Sequence, residues 1–134
     1  MSARSVFWDD LADDLKDPEF LREFVLSSIR IKTVDSIINS LDQARVDSDL
    51  SKAALARAAS LEPSAVRRLF SAESSNPTLH TVSELAAALG MRLTLAPLEG
   101  PESAVLTAAL KSGKAGDLVS LASAVEQFDC AGVS

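Results

Sequence analysis

The sequence predicts an all-α protein: a helical bundle with an N-terminal helical arm, a short strand after the last core helix and a C-terminal helical tail. Apolar residues recur at spacings of three and four along most of the chain, which is typical of amphipathic helices. Ser, Thr, Asp or Pro residues stand where these periodic stretches begin. Residues 91–95 alternate between apolar and polar, which predicts a short strand. The chain is 47% hydrophobic and 24% charged, as in globular proteins.

Residues 1–32 are predicted to form an acidic amphipathic arm. Residues 1–29 contain three basic and seven acidic side chains. The apolar side chains at helical spacing include Phe7, Trp8, Leu11, Leu15, Phe20, Phe24 and Val25. Two interpretations remain open: the aromatic side chains anchor a protein partner, or they pack on the protein's own core.

Residues 33–96 are predicted to form a compact helical domain. Its predicted elements are a helix that starts at Thr33 and is broken by residues 47–49, short helices at Lys52–Ala59 and Pro63–Phe70, a helix from Thr78 to Leu89, and a strand at Met91–Leu95. Residues 97–134 then form a C-terminal extension with predicted helices at Ser103–Leu110 and Asp117–Phe128.

The two short helices have the spacing of a helix-turn-helix motif. A small residue, Ala56, stands where the second helix would cross the first, and small Ser60 follows in the turn. Val66 and Leu69 stand at the positions that would pack the second helix on the first. A generic helical hairpin shares some of these features, but the full set favours DNA binding.

This part of the sequence resembles the XRE-type (phage-repressor-like) helix-turn-helix family. The resemblance rests on Ser51–Leu69, on Asn76–Thr81, which reads Asn-Pro-Thr-Leu-His-Thr, and on Leu85–Gly90. The additions Met91–Leu95 and Leu15–Phe20 are similar to the HigA-like antitoxin branch. The chain departs from the family pattern at three positions: Ser60 replaces a favoured Gly, Lys52 replaces a common Gln, and Pro63 opens the recognition helix.

The resemblance implies a DNA-binding antitoxin of a type II toxin–antitoxin system. Such a protein neutralises a small basic HigB/RelE-like mRNA-cleaving toxin and represses its own operon. Because one short recognition helix reads only a few base pairs, we also expect a homodimer on a palindromic double-stranded operator. The alternative is a stand-alone XRE-type transcriptional regulator without a toxin. The predicted toxin-binding residues are Phe7, Trp8, Leu11, Leu15, Phe20 and Phe24.

The predicted DNA contacts follow from the inward-facing positions of the second helix. Ser64, Arg67 and Arg68 are the expected base contacts, because Arg pairs with guanine and Ser contacts bases or phosphate. The expected phosphate contacts are Lys52, Arg57, Ser71, Ser75 and Asn76. Although the chain has a net charge of −6, Ser51–Phe70 carries four basic residues against one acidic residue. The competing interpretation is that the arginines form a solvated face.

The sequence favours no catalytic activity, cofactor or metal. It lacks a phosphate-binding Gly loop, a nucleophile elbow and a dinucleotide fingerprint. His80 and Cys130 are the sole His and Cys, too few for a zinc site or a disulfide framework. No apolar run is long enough to span a membrane and the first ten residues contain no signal core, so we expect a cytoplasmic protein.

Overall fold

The computed structural model describes residues 10–71 and 76–128, which fall into two compact units. The terminal unit comprises residues 10–32 and 97–128, and the central unit comprises residues 33–71 and 76–96. The two ends of the chain therefore contribute to one unit, and the predicted helix-turn-helix lies in the other.

Six helices account for most of the described residues, and residues 10–14 are helical as well. In chain order the helices are α1 (Pro18–Asp47), α2 (Lys52–Ala58), α3 (Pro63–Phe70), α4 (Leu79–Ala88), α5 (Pro101–Ser112) and α6 (Leu118–Gln127). The predicted all-α class is confirmed. No helix in the described ranges combines the length and apolarity required to cross a membrane.

The predicted strand at Met91–Leu95 is wrong. These residues have no regular secondary structure, and the described part of the chain contains no strand with which they could pair. Every one of them is exposed, and Leu95 has 98% of its surface accessible. Alternation of apolar and polar residues predicts a strand only where a neighbouring strand supplies backbone partners, and the described ranges contain none.

No new helix starts at Thr33 as predicted, because α1 continues through residues 30–32 without interruption. The change in apolar pattern has another origin. Leu21 and Val25 lie in the core of the terminal unit, whereas Leu41 lies in the core of the central unit. One helix thus supplies apolar residues to two separate cores, and the change of core resembles a change of helix in the sequence.

The terminal unit has a core made jointly by the N-terminal arm and the C-terminal extension. Its buried residues are Leu11, Leu15, Leu21, Val25, Leu106, Ala109, Leu121, Ala124 and Val125. Two basic side chains of α1 also bind the C-terminal ends of the later helices. Arg22 donates to the carbonyl oxygens of Leu110 and Lys111, and Lys32 donates to that of Glu126. Cations are favoured at helix C-termini, where carbonyl groups lack partners within the helix.

The central unit has a separate core formed by α2, α3, α4 and the second half of α1. Its buried residues are Leu41, Leu55, Ala56, Ala59, Val66, Leu69, Val82, Leu85 and Ala86. Fully burying a Leu or Val side chain contributes about 1.5–3 kcal/mol relative to leaving it exposed. This core therefore fixes α3 against α2 and leaves the opposite side of α3 in solvent.

Three helices of the central unit end in the same C-terminal motif. Left-handed residues follow α1, α2 and α4: Asp49, Ser60 and Gly90, with φ of 55°, 56° and 75°. In each case the next residue donates its N–H to a carbonyl five residues earlier, as Leu61 does to Ala56 across 2.8 Å and Met91 does to Ala86 across 2.7 Å. This is the Schellman arrangement, which satisfies the last carbonyl groups of a helix.

Candidate nucleic-acid interface

The helix pair α2–α3 is held in a defined geometry by its capping and by its turn. The Ser51 side chain caps α2 by accepting a hydrogen bond from the Ala54 N–H across 3.0 Å. Ala56 is fully buried, and a small residue there lets α3 approach α2 closely. The left-handed Ser60 then reverses the chain, and Pro63 occupies the first position of α3, where its missing N–H has no consequence.

The exposed face of α3 carries the predicted base-contacting residues. Val66 and Leu69 are buried, whereas Ser64, Arg67 and Arg68 are exposed. Ser64 and Arg68 are one turn apart, so they share a side of the helix. A helix with this exposed face has the width and the side chains that fit a DNA major groove.

The exposed arginine side chains of α2 and α3 have no partners within the described structure. No hydrogen bond or ion pair joins the side chains of Arg57, Arg67 or Arg68 to another part of the described chain. Arg45 differs, because it is paired with Asp42 at 2.9 Å and donates to the carbonyl of Leu50. We conclude that Arg45 has a structural role, while the three exposed guanidinium groups are available to phosphates and base edges.

The predicted phosphate-contacting residues lie on α2 and in the segment that follows α3, and they differ in exposure. Lys52 is half-buried in the first turn of α2, and Arg57 is exposed in its last turn. Ser71 and Asn76 are exposed, but the Ser71 hydroxyl already donates to the carbonyl of Arg68 across 2.7 Å. Ser75 lies outside the described residues.

The Glu62 side chain, at the start of α3, is not among the predicted contacts. Glu62 is the N-cap of α3, and its carbonyl accepts from the N–H groups of Ala65 and Val66. Its exposed carboxylate makes no capping hydrogen bond, in contrast to the side chains of Ser51 and Thr78, which cap α2 and α4. The signal in the sequence was its position directly before Pro63, which is the N-cap position of a helix that Pro opens.

The predicted toxin-binding residues have different environments. Leu11 and Leu15 are buried in the core of the terminal unit, and Phe24 is partly buried against it. Phe20 is 41% exposed. Phe7 and Trp8 lie outside the described residues.

No group of three or more His, Cys, Asp and Glu side chains within residues 10–71 and 76–128 comes together as a metal-binding cluster. The single His in this part of the structure, His80, pairs with Glu84 one turn along α4. That pair is an exposed helix-surface contact.

The buried seam between α2 and α3 and the small residues at the crossing and in the turn give the central unit the geometry of a helix-turn-helix. Residues 41–95 match the family model described as Helix-turn-helix, and this match supports the XRE-type family for the domain. The match includes α2, α3 and α4 and stops before α5. No significant match to this chain was found among the curated proteins or the solved structures.

Proposed function

We propose that the protein is a cytoplasmic antitoxin of a type II toxin–antitoxin system. Its central unit binds the operator of its own operon, and its terminal unit binds a small basic HigB/RelE-like mRNA-cleaving toxin. The proposal assigns the protein no catalytic activity and no cofactor. The observation that carries it is the unequal distribution of charge between the two units.

The terminal unit is acidic. Residues 10–32 and 97–128 together contain six basic and ten acidic side chains, a net charge of −4. DNA phosphates repel such a unit, whereas a basic protein is attracted to it. In Ser51–Phe70 of the central unit, by contrast, four basic residues stand against Glu62 alone.

The exposed side chains of the arm supply a surface for such a partner. Asp10, Asp14 and Glu19 are exposed, and Phe20 lies next to Glu19 as an exposed aromatic side chain. Carboxylates accelerate encounter with a basic protein, and a buried aromatic residue then slows dissociation. Under this proposal Leu11 and Leu15 act indirectly, because they hold the acidic helix on its core.

A homodimer on a palindromic operator is part of the proposal. One short recognition helix reads only a few base pairs, so two copies are needed for a specific site. The exposed apolar side chains of Met91 and Leu93 follow α4 and line a groove together with Ile37 and Val82, and Leu95 is exposed two residues further on. This surface is the one we assign to self-association.

Two measurements test the proposal separately. Fluorescence anisotropy with duplex DNA from upstream of the gene, against a shuffled duplex of equal composition, tests operator binding. Co-expression with any small basic protein encoded next to the gene tests neutralisation, because an antitoxin restores growth that the toxin arrests. The variant that separates the two activities is Glu19→Lys combined with Asp14→Lys, which reverses two charges in the terminal unit. We expect this variant to lose rescue of growth and to bind the operator as the wild type does.

The second candidate function is a stand-alone XRE-type transcriptional regulator, in which the terminal unit serves self-association or effector binding. Ile31 and Val119 of that unit are exposed apolar residues, 61% and 77% accessible, that a self-association surface would cover. Specific operator binding without a toxin gene nearby, and without a growth phenotype, would support this alternative over the antitoxin.

A further inference from the structure

We infer that Glu62 is a specificity-determining residue of the DNA-reading helix, and that its carboxylate accepts a hydrogen bond from the exocyclic amine of a cytosine. This inference rests on the DNA-binding function proposed above and adds a residue that the arginine-based site does not include. Its starting point is an exception among the helix starts of the central unit.

The first observation concerns capping. The other two helices that begin in the described central unit start with a hydroxyl side chain that accepts an N–H of the first turn, across 3.0 Å from Ala54 to Ser51 and 3.1 Å from Thr81 to Thr78. Glu62 replaces such a residue at α3, and its side chain leaves the helix uncapped. Asp, Asn, Ser or Thr would satisfy that helix end better than a residue that does not cap.

The second observation concerns charge. Glu62 is the one acidic residue in Ser51–Phe70, which otherwise presents Lys52, Arg57, Arg67 and Arg68. Its exposed carboxylate forms no hydrogen bond or ion pair in the described structure. An unpaired carboxylate among phosphates weakens binding to every DNA sequence, unless a base supplies a donor to it.

The third observation is location. The N-terminal residues of a recognition helix contact base edges in the major groove, and Glu62 immediately precedes Pro63 and Ser64 at that end of α3. Cytosine presents a donor there, its N4 amine, and Glu accepts from it. Guanine presents acceptors instead, which suit Arg68. Glu62 would therefore attract a C·G pair and reject pairs that place an acceptor at the same position.

A structural explanation makes a different prediction. A carboxylate at a helix N-terminus interacts favourably with the helix dipole. If that were the sole role of Glu62, its removal would lower stability and would strengthen binding to all DNA sequences about equally. A base contact instead changes the preference at one base pair.

The test is selection of binding sites from a randomised duplex library by the full-length wild-type protein, Glu62→Ala, Glu62→Gln and Asp35→Asn. Asp35 is exposed on α1, so Asp35→Asn removes one negative charge from the same unit without changing α3. We expect the wild type to select a motif with a fixed C·G pair. Glu62→Ala should lose roughly 5- to 150-fold discrimination at that pair, and Glu62→Gln should shift the preference towards adenine, which Gln pairs with.

The outcomes separate the two proposals. If the wild type selects no motif, sequence-specific DNA binding itself is refuted. If the wild type selects a motif that Glu62→Ala and Glu62→Gln select unchanged, DNA binding stands and the assignment of Glu62 is refuted. A shift confined to one base pair, absent in Asp35→Asn, supports it.

Discussion

The guanidinium group of Arg22 donates its Nε–H to the carbonyl oxygen of Leu110 across 2.9 Å, although the two residues are 88 positions apart in the chain. The same group donates to the carbonyl of Lys111 across 3.2 Å. One side chain thus binds two of the terminal carbonyl groups of α5. The N-terminal arm and the C-terminal extension are consequently parts of a single folded unit.

Replacing Arg22 should therefore destabilise the terminal unit. We expect Arg22→Ala to lower the free energy of unfolding by about 1–2 kcal/mol, because two helix-end carbonyls lose a charged donor. Arg22→Lys should recover only part of this, since an ammonium group lacks the planar fork of Arg. The control is Arg30→Ala, which removes an exposed ion pair with Glu23 at 3.8 Å and an exposed hydrogen bond to the Ser27 hydroxyl, and which should cost less than about 0.5 kcal/mol. Equal losses for Arg22→Ala and Arg30→Ala in urea titrations would contradict this role.

The end of α5 also depends on Gly113. Its φ is +74°, and an added Cβ would lie 2.6 Å from the Pro18 Cβ. Gly90 is a natural control, with φ of +75° but no atom within 4 Å of an added Cβ. We expect Gly90→Ala to cost about 1 kcal/mol from the left-handed backbone alone, and Gly113→Ala to cost about 2–4 kcal/mol because a steric clash is added. Thermal melts of the two variants provide the comparison, and a Gly113→Ala protein as stable as Gly90→Ala would show that the contact with Pro18 is absent.

The turn between α2 and α3 contains a non-Gly residue in the left-handed region. Ser60→Gly should stabilise the protein by up to about 1 kcal/mol, because relief of the backbone strain exceeds the added entropy of the unfolded chain. Ser83→Gly makes the same substitution inside α4 and should destabilise by about 1 kcal/mol. Chemical denaturation measures both variants. Loss of stability in Ser60→Gly would mean that the serine side chain contributes more than the strained backbone costs.

The start of α6 should respond to pH through Asp117. The Ser120 hydroxyl and the Val119 N–H both donate to its carboxylate, at 2.8 Å and 3.1 Å, and lower the pKa of Asp117 below its ordinary 3.8. A lowered pKa in the folded state means that this carboxylate stabilises the protein above pH 3.8, and that its contribution is lost as the pH falls through the folded-state pKa. The difference in melting temperature between wild type and Asp117→Asn should therefore shrink in acid. A difference that stays constant from neutral pH down to about pH 3 would show that Asp117 titrates alike in both states.

The sequence predicted local features more reliably than features that depend on distant residues. The inward positions Val66 and Leu69 and the stop at Gly90 follow from spacing and backbone preference, and the structure has them as predicted. The strand at Met91–Leu95 failed because pairing needs a second strand, which local alternation does not reveal.

The terminal unit shows the same limit. Helical spacing identified Leu11 and Leu15 as apolar positions, but not what covers them. Their neighbours include Leu106 and Leu121, about a hundred residues later in the chain. Periodicity reports that a face is apolar, whereas the identity of its partner depends on the tertiary fold. Likewise, the sequence does not show that the Glu62 carboxylate fails to cap α3, because this depends on the hydrogen bonds of the first turn of that helix.

The most direct test of DNA reading by α3 is the affinity of Arg68→Ala for the motif selected by the wild-type protein, measured by anisotropy over a range of salt concentrations. We predict a loss of about 1–3 kcal/mol, confined to the motif and accompanied by relaxed preference at one G·C pair. The control, Lys52→Ala, should weaken binding to all sequences alike and reduce the salt slope by about 1, because it removes one phosphate contact. Unchanged affinity of Arg68→Ala for the selected motif would contradict the assignment of the exposed face of α3 as the DNA-reading surface.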